Sequence, residues 1–156
     1  MLLAPTRSQT RTLPSNNPER SGRVCAFFAT SSRALRPGSS VLDLGCGNGV
    51  PALREIARLH RAVGVDISKT QTELARANVP HADLVHADVA ELAFPARSCD
   101  AVVAFYLFDH LPREEHATLL ARVREWLTPD GLFLFSVEGE GPTGGRRGVA
   151  READVL

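Results

Sequence analysis

Val41-Leu42-Asp43-Leu44-Gly45-Cys46-Gly47-Asn48-Gly49 is the stretch on which the reading of this 156-residue chain turns. A short β-rich run stops at a cluster of three glycines. A helical pattern then follows from Pro51, whose fixed φ and missing N–H suit a first turn. Strand, glycine turn and helix in that order form ligand loops of several kinds, because glycine admits both positive φ and close backbone approach. The details narrow the choice. A phosphate loop needs Gly-Lys-Ser/Thr, and Gly49-Val50 supplies neither the lysine nor the hydroxyl. A dinucleotide loop wants its third glycine at position 50, where Val50 stands, and has no need for an acid two residues ahead of the first glycine. Asp43 occupies that place.

Outward from this stretch the chain alternates strands and helices. A helix is expected over 19–35, with Val24, Phe27, Phe28 and Ala34 on its apolar face and Pro37-Gly38 as its stop. The helix after Pro51 places Leu53, Ile56, Ala57 and His60 on one face. A strand follows at 62–67. Ser68-Lys69-Thr70-Gln71 matches a capping box and opens a helix to Asn78, which Pro80 ends. Strands are expected at 84–87 and 100–106, with one helical turn at 89–92 between them. The helix from Pro112 repeats Leu119, Leu120, Val123, Trp126 and Leu127 at threes and fours, with Glu114 and Glu115 near its positive end. Pro129-Asp130-Gly131 reads as a turn and 132–137 as a fifth, wholly buried strand.

This alternation predicts an α/β fold, a doubly wound parallel sheet with helices on both faces. Ligands of such sheets lie beyond the carboxyl ends of the strands near the switch point, which gathers the loops after Leu44, Val65, Ala87 and Phe105.

The string V-L-D-L-G-C-G-N-G resembles motif I of class I S-adenosylmethionine-dependent methyltransferases. Gly64-Val65-Asp66-Ile67 is similar to the family's second motif and Ala87-Asp88-Val89 to its third. The segments 100–111 and 127–137 resemble its fourth and fifth strand regions, so about residues 38–138 are covered. The resemblance implies a Rossmann-like methyltransferase fold, S-adenosyl-L-methionine as cofactor and a small-molecule methyl acceptor. It implies a cofactor-binding set of Asp43, Gly45, Cys46, Gly47, Asp66, Ile67, Asp88, Val89 and Phe105. Asp66 would accept from both ribose hydroxyls, and the Gly45–Gly47 backbone would approach the methionine portion. Asp43 would hold the ammonium group, and Asp88 would accept from the adenine amine. The Val89 N–H would face the ring, on which Ile67 packs. The segment from Phe105 to Leu111 would line the acceptor side. Methyl transfer from a sulfonium is an in-line displacement, and a base is needed only for a protonated acceptor. His110 is the candidate catalytic base, with Asp109 beside it; helix capping before Pro112 is the competing role for both.

The remaining features bound partners and compartment. Lysine plus arginine and aspartate plus glutamate stand at 18 each, so overall charge draws the chain to neither nucleic acid nor a membrane surface. The apolar runs are far shorter than the roughly 18 residues of a membrane span. Cys25, Cys46 and Cys99 form no C-x-x-C pair and suit a reducing cytoplasm, and the histidines have no metal-ligand spacing, so no metal is expected. Residues 1–18 and 139–156 read as disordered tails around a single domain at 19–138. On that reading the family's final antiparallel strands are missing. The fifth strand then has an open edge, and pairing with a second copy through it is expected. Two alternatives to an active methyltransferase stay open: an inactive, truncated S-adenosylmethionine-binding remnant, and an NAD-dependent oxidoreductase of related architecture.

Overall fold

The computed structural model describes residues 18–137 and 146–155. Helix α1 (Pro18–Ser31) leads to strand β1 (Ser40–Leu44), helix α2 (Ala52–Ala57), strand β2 (Arg61–Asp66) and helix α3 (Lys69–Asn78). Strands β3 (Asp83–His86) and β4 (Cys99–Ala104), helix α4 (Arg113–Trp126), and strands β5 (Leu127–Val137) and β6 (Arg146–Arg151) complete the order. One six-stranded sheet runs β3-β2-β1-β4-β5-β6. The first five strands are mutually parallel, and β6 is antiparallel to β5. The switch point lies between β1 and β4, where Asp43 stands opposite Val103.

Strand side chains alternate between two apolar layers, as a sheet covered on both faces requires. Val41, Ala101, Val103, Leu132 and Leu134 pack with Val24 and Phe28 of α1 and Leu53 and Ile56 of α2. Leu42, Leu44, Val102, Ala104 and Phe133 pack with Leu119, Val123 and Trp126 of α4. Fully burying each such Leu or Ile contributes about 1.5–3 kcal/mol. Gly64 in β2 is required by this packing, because a Cβ there would stand 2.7 Å from Leu53 Cδ2 and 2.9 Å from Cys46 Sγ.

The doubly wound architecture is as the sequence predicts, with four local differences. The expected tail at 139–156 is structured from Arg146 to Val155: β6 pairs residue for residue with β5, from Leu132↔Arg151 to Val137↔Arg146. Val155 beyond it is buried against the α4 layer. The final antiparallel strand is therefore present, and the open β5 edge on which pairing of two copies was argued is occupied by the chain itself. The other expected tail, 1–18, lies outside the described residues except for Pro18, which begins α1. Second, Pro129-Asp130-Gly131 does not separate helix from strand. β5 starts at Leu127, and the three residues form an irregularity within it, where pairing with β4 jumps from Cys99↔Leu127 to Ala101↔Leu132 and Asp130 has φ 64°. Third, 89–92 is a turn rather than a turn of helix. Fourth, the capping box is half formed. Ser68 Oγ accepts from the Gln71 N–H at 3.3 Å, but the Ser68 N–H donates to Asp66 Oδ1 at 2.8 Å.

Candidate cofactor site

The glycine loop after β1 is held at both ends, at its far end by the Asn78 side-chain amide, which donates to the Asn48 carbonyl at 3.0 Å. The N–H groups of Gly45 and Cys46 both donate to the Val65 carbonyl, at 2.8 and 2.9 Å, which ties the loop to the end of β2. Gly45, Gly47 and Gly49 all have positive φ, at 72°, 55° and 81°. A Cβ on Gly49 would also stand 2.9 Å from Val79 Cγ2, so glycine is needed there twice over. Leu107, in the turn after β4, packs so closely on Gly45 that a Cβ would meet its Cδ1 at 3.2 Å. The carboxyl ends of β1, β2 and β4 thus converge on one loop.

Two carboxylates mark this rim. Asp66 accepts from the Gly47 N–H through Oδ2 at 2.9 Å and from Ser68 through Oδ1. A carboxylate offers about four lone-pair directions, so two remain for ligand hydroxyls. Asp43 is only 2% exposed, and its Oδ2 has no hydrogen-bond partner. Burial, and after it the Asp66 charge, pushes the Asp43 carboxyl up from 3.8 to about 8. The Cys46 thiol is also raised, by burial first and then by Asp43 and Asp66, so it is no reactive thiolate.

The third strand joins the same rim. The Ala87 N–H donates to the Asp66 carbonyl at 3.1 Å, and His86 Nε2 lies 3.0 Å from the Ile67 carbonyl, to which it can only donate. Asp88 Oδ1 accepts from the Ala90 N–H at 2.9 Å, closing the turn after β3. Ile67 is 61% exposed, a large apolar face left open next to Asp66.

Asp43, Gly45, Cys46, Gly47, Asp66, Ile67 and Asp88 therefore stand on one rim. Two expected members do not present side chains there. Phe105 is 7% exposed and packs edge-on to Phe27 of α1, at 6.0 Å, because its position continues the parity of Ala101 and Val103 into the α1 layer. The Val89 side chain is buried in the α4 layer, which leaves its backbone as the only part fit for the role the resemblance implies.

After β4, His110 is exposed in a 3₁₀ turn, Phe108–His110, and not in a capping position of α4, whose N-cap is Pro112. His116 was not singled out by the sequence, yet its Nε2 lies 3.1 Å from both the Phe108 and Leu111 carbonyls and pins this turn to α4. Tyr106, at φ 59°, is held by its N–H donating to the buried Ser136 hydroxyl at 2.7 Å. Neither role has a sequence pattern, since His116 meets backbone carbonyls and Tyr106 acts through its backbone N–H. Among the described residues no cluster of His, Cys, Asp and Glu could hold a metal, and no helix is long and apolar enough to cross a membrane.

With this geometry in hand, the comparisons with known proteins agree. A family model described as a methyltransferase domain matches residues 41–131, and the chain belongs to that family. A probable S-adenosylmethionine-dependent methyltransferase of Mycolicibacterium smegmatis is 36% identical over 101 residues, 64% of this chain and 38% of that protein. The 27-O-demethylrifamycin SV methyltransferase of Amycolatopsis mediterranei is 36% identical over 108 residues, 65% of this chain and 39% of that protein. The chain thus spans about two fifths of the length of these relatives. Among solved structures, the N-methyltransferase NodS of Bradyrhizobium japonicum, crystallised with S-adenosylhomocysteine, superposes with TM-score 0.70 at 18% identity, over 78% of this chain and 63% of that one. That likeness concerns the fold.

Proposed function

We propose that the chain binds S-adenosylmethionine at the rim of β1, β2, β3 and β4 and transfers its methyl group to a small-molecule acceptor. The observation that carries this reading is the buried, unpartnered Oδ2 of Asp43 under a loop of positive-φ glycines. Burying an unpaired carboxylate costs several kcal/mol unless a cation meets it. A ligand that brings an ammonium, beside a sulfonium, removes that cost. Val50, standing where a dinucleotide loop wants its third glycine, argues against the dinucleotide alternative.

The residues present fit the cofactor part by part. Asp43 would face its ammonium group. The two remaining acceptor directions of Asp66 would take the ribose hydroxyls, Ile67 would cover the base, and Asp88 would accept from its amine. When bound, the cofactor supplies an activated methyl group that needs no acid to leave. The protein's part is alignment at the Leu107 side of the glycine loop and, for a hydroxyl or amine acceptor, proton removal by the exposed imidazole of His110. The relatives support this reading, the Mycolicibacterium protein by the cofactor in its name and the Amycolatopsis protein by a small-molecule acceptor. The balanced charge of the chain favours such an acceptor over nucleic acid.

Because the chain spans about two fifths of those relatives, binding without turnover is the second reading. Incubating the protein with S-adenosylmethionine and a panel of small hydroxyl and amine compounds, with S-adenosylhomocysteine followed by mass, separates the two. Acceptor-dependent product is expected; saturable binding with no product from any acceptor would favour the second.

A further inference from the structure

The turn after β3 carries Asp88, and its neighbour Val89 is buried against α4. Between this turn and α4 lies a hollow of about 110 Å³, lined in part by Val89, Ala90, Leu111, Thr118 and Arg122. Val89 packs into the α4 layer, and on the Ala90 side of the turn a polar bridge spans that space. Arg122 of α4, half-buried, donates from Nη1 to the Ala90 carbonyl and, at 3.4 Å, to the Leu92 carbonyl. The Ala90 residue is thus gripped twice, its N–H by Asp88 Oδ1 and its carbonyl by the guanidinium. The direction of the Asp88 carboxylate therefore depends on a residue that Arg122 holds. Nη1 carries two N–H donors, enough for both carbonyls, and the guanidinium charge is permanent.

We propose that Arg122 is a positioning residue for base recognition: by holding the Ala90 and Leu92 carbonyls it fixes the turn on which Asp88 meets the 6-amino group of adenine, and so sets the preference for adenine over hypoxanthine. This inference rests on the cofactor reading above. Hypoxanthine carries an oxygen where adenine carries the amine, so a correctly aimed carboxylate rejects it, and a charge-assisted hydrogen bond lost in this way corresponds to about tenfold or more in affinity.

The test is calorimetry of wild type, Arg122→Met and Arg122→Lys with S-adenosylhomocysteine and with S-inosylhomocysteine. Wild type should prefer the adenosyl ligand by at least about tenfold. Arg122→Met should lose most of that preference through weaker adenosyl binding, with inosyl binding little changed, and Arg122→Lys should fall between. General destabilisation would weaken both ligands alike and leave their ratio intact, so an unchanged ratio in folded Arg122→Met overturns the proposal. Should Arg122→Met not fold, a wild-type ratio in Arg122→Lys overturns it instead. Wild type that binds neither ligand refutes the cofactor reading itself. Wild type that binds both equally refutes only the base recognition assigned to Asp88 and Arg122.

Discussion

Asp66 at the end of β2 accepts the N–H of Gly47, nineteen residues earlier in the chain, at 2.9 Å. Its other oxygen takes the N–H of Ser68 at the start of α3. One side chain therefore braces the glycine loop, ends the strand and opens the next helix while facing the rim. Asp66→Ala is expected to weaken S-adenosylhomocysteine binding at least about tenfold, from the loss of charge-assisted bonds, and to cost about 1–3 kcal/mol of stability from the stranded N–H groups. Asp66→Asn, which keeps one acceptor, should fall between. Unchanged affinity in a folded Asp66→Ala protein removes Asp66 from the site.

Asp43 predicts opposite pH trends for stability and binding. Its carboxyl is raised from 3.8 to about 8 by burial and by Asp66, so the free protein holds this proton where the unfolded chain releases it. The resulting stability is complete below about pH 4 and is lost as pH rises through 8. Asp43→Asn should therefore gain on wild type as pH increases over that window, by an amount on the order of a few kcal/mol. Ligand binding runs the other way. An ammonium favours the ionised carboxylate, so wild-type affinity for S-adenosylhomocysteine should climb from pH 6 to 8 with proton release, while Asp43→Asn should show neither trend. Thermal unfolding at pH 5 and 8 checks the first part, and a wild-type-to-mutant gap independent of pH would contradict it.

His110→Ala should lower turnover without changing cofactor affinity, provided that the acceptor is an oxygen or nitrogen that must lose a proton. The exposed imidazole belongs to the 108–110 turn and not to the glycine loop or the β2 and β3 ends, which is why the two effects should separate. Equal turnover by wild type and variant across pH 5 to 9 would deny His110 a part in proton removal.

The β5–β6 edge gives a stability test. Gly148 pairs with Phe135, and a Cβ on Gly148 would lie 2.3 Å from Phe135 Cζ, so the ring covers the glycine across the strands. Gly148→Ala should force the ring away or push β6 off the edge, and lower stability by about 1–3 kcal/mol. A melting temperature equal to wild type would mean that β6 does not hold this register.

The motif residues were legible because their chemistry is tied to position: an acid two residues before a glycine loop, and acids at the ends of the next two strands. What could not be read acts through the backbone. The segment Arg146–Arg151 has no alternating apolar pattern, since an edge strand needs only main-chain pairing and here lets Phe135 supply the cover over Gly148. Phe105 was assigned by its place after β4, but strand parity turns it into the core. Asp130 was read as a turn residue, and its positive φ serves a bulge within β5. Gln71 lost its half of the capping box to Asp66, a competitor distant from the four-residue motif only in role, and Arg122 binds carbonyls that no side-chain pattern announces.

The central claim is that this rim holds S-adenosylmethionine, and calorimetric titration of the wild-type chain with S-adenosylhomocysteine tests it most directly. Saturable one-to-one binding is expected near neutral pH, weakened at least about tenfold in Asp66→Ala, with no comparable heat from NAD, whose pyrophosphate meets no phosphate-binding pattern. Saturable binding of NAD with none of S-adenosylhomocysteine would contradict it.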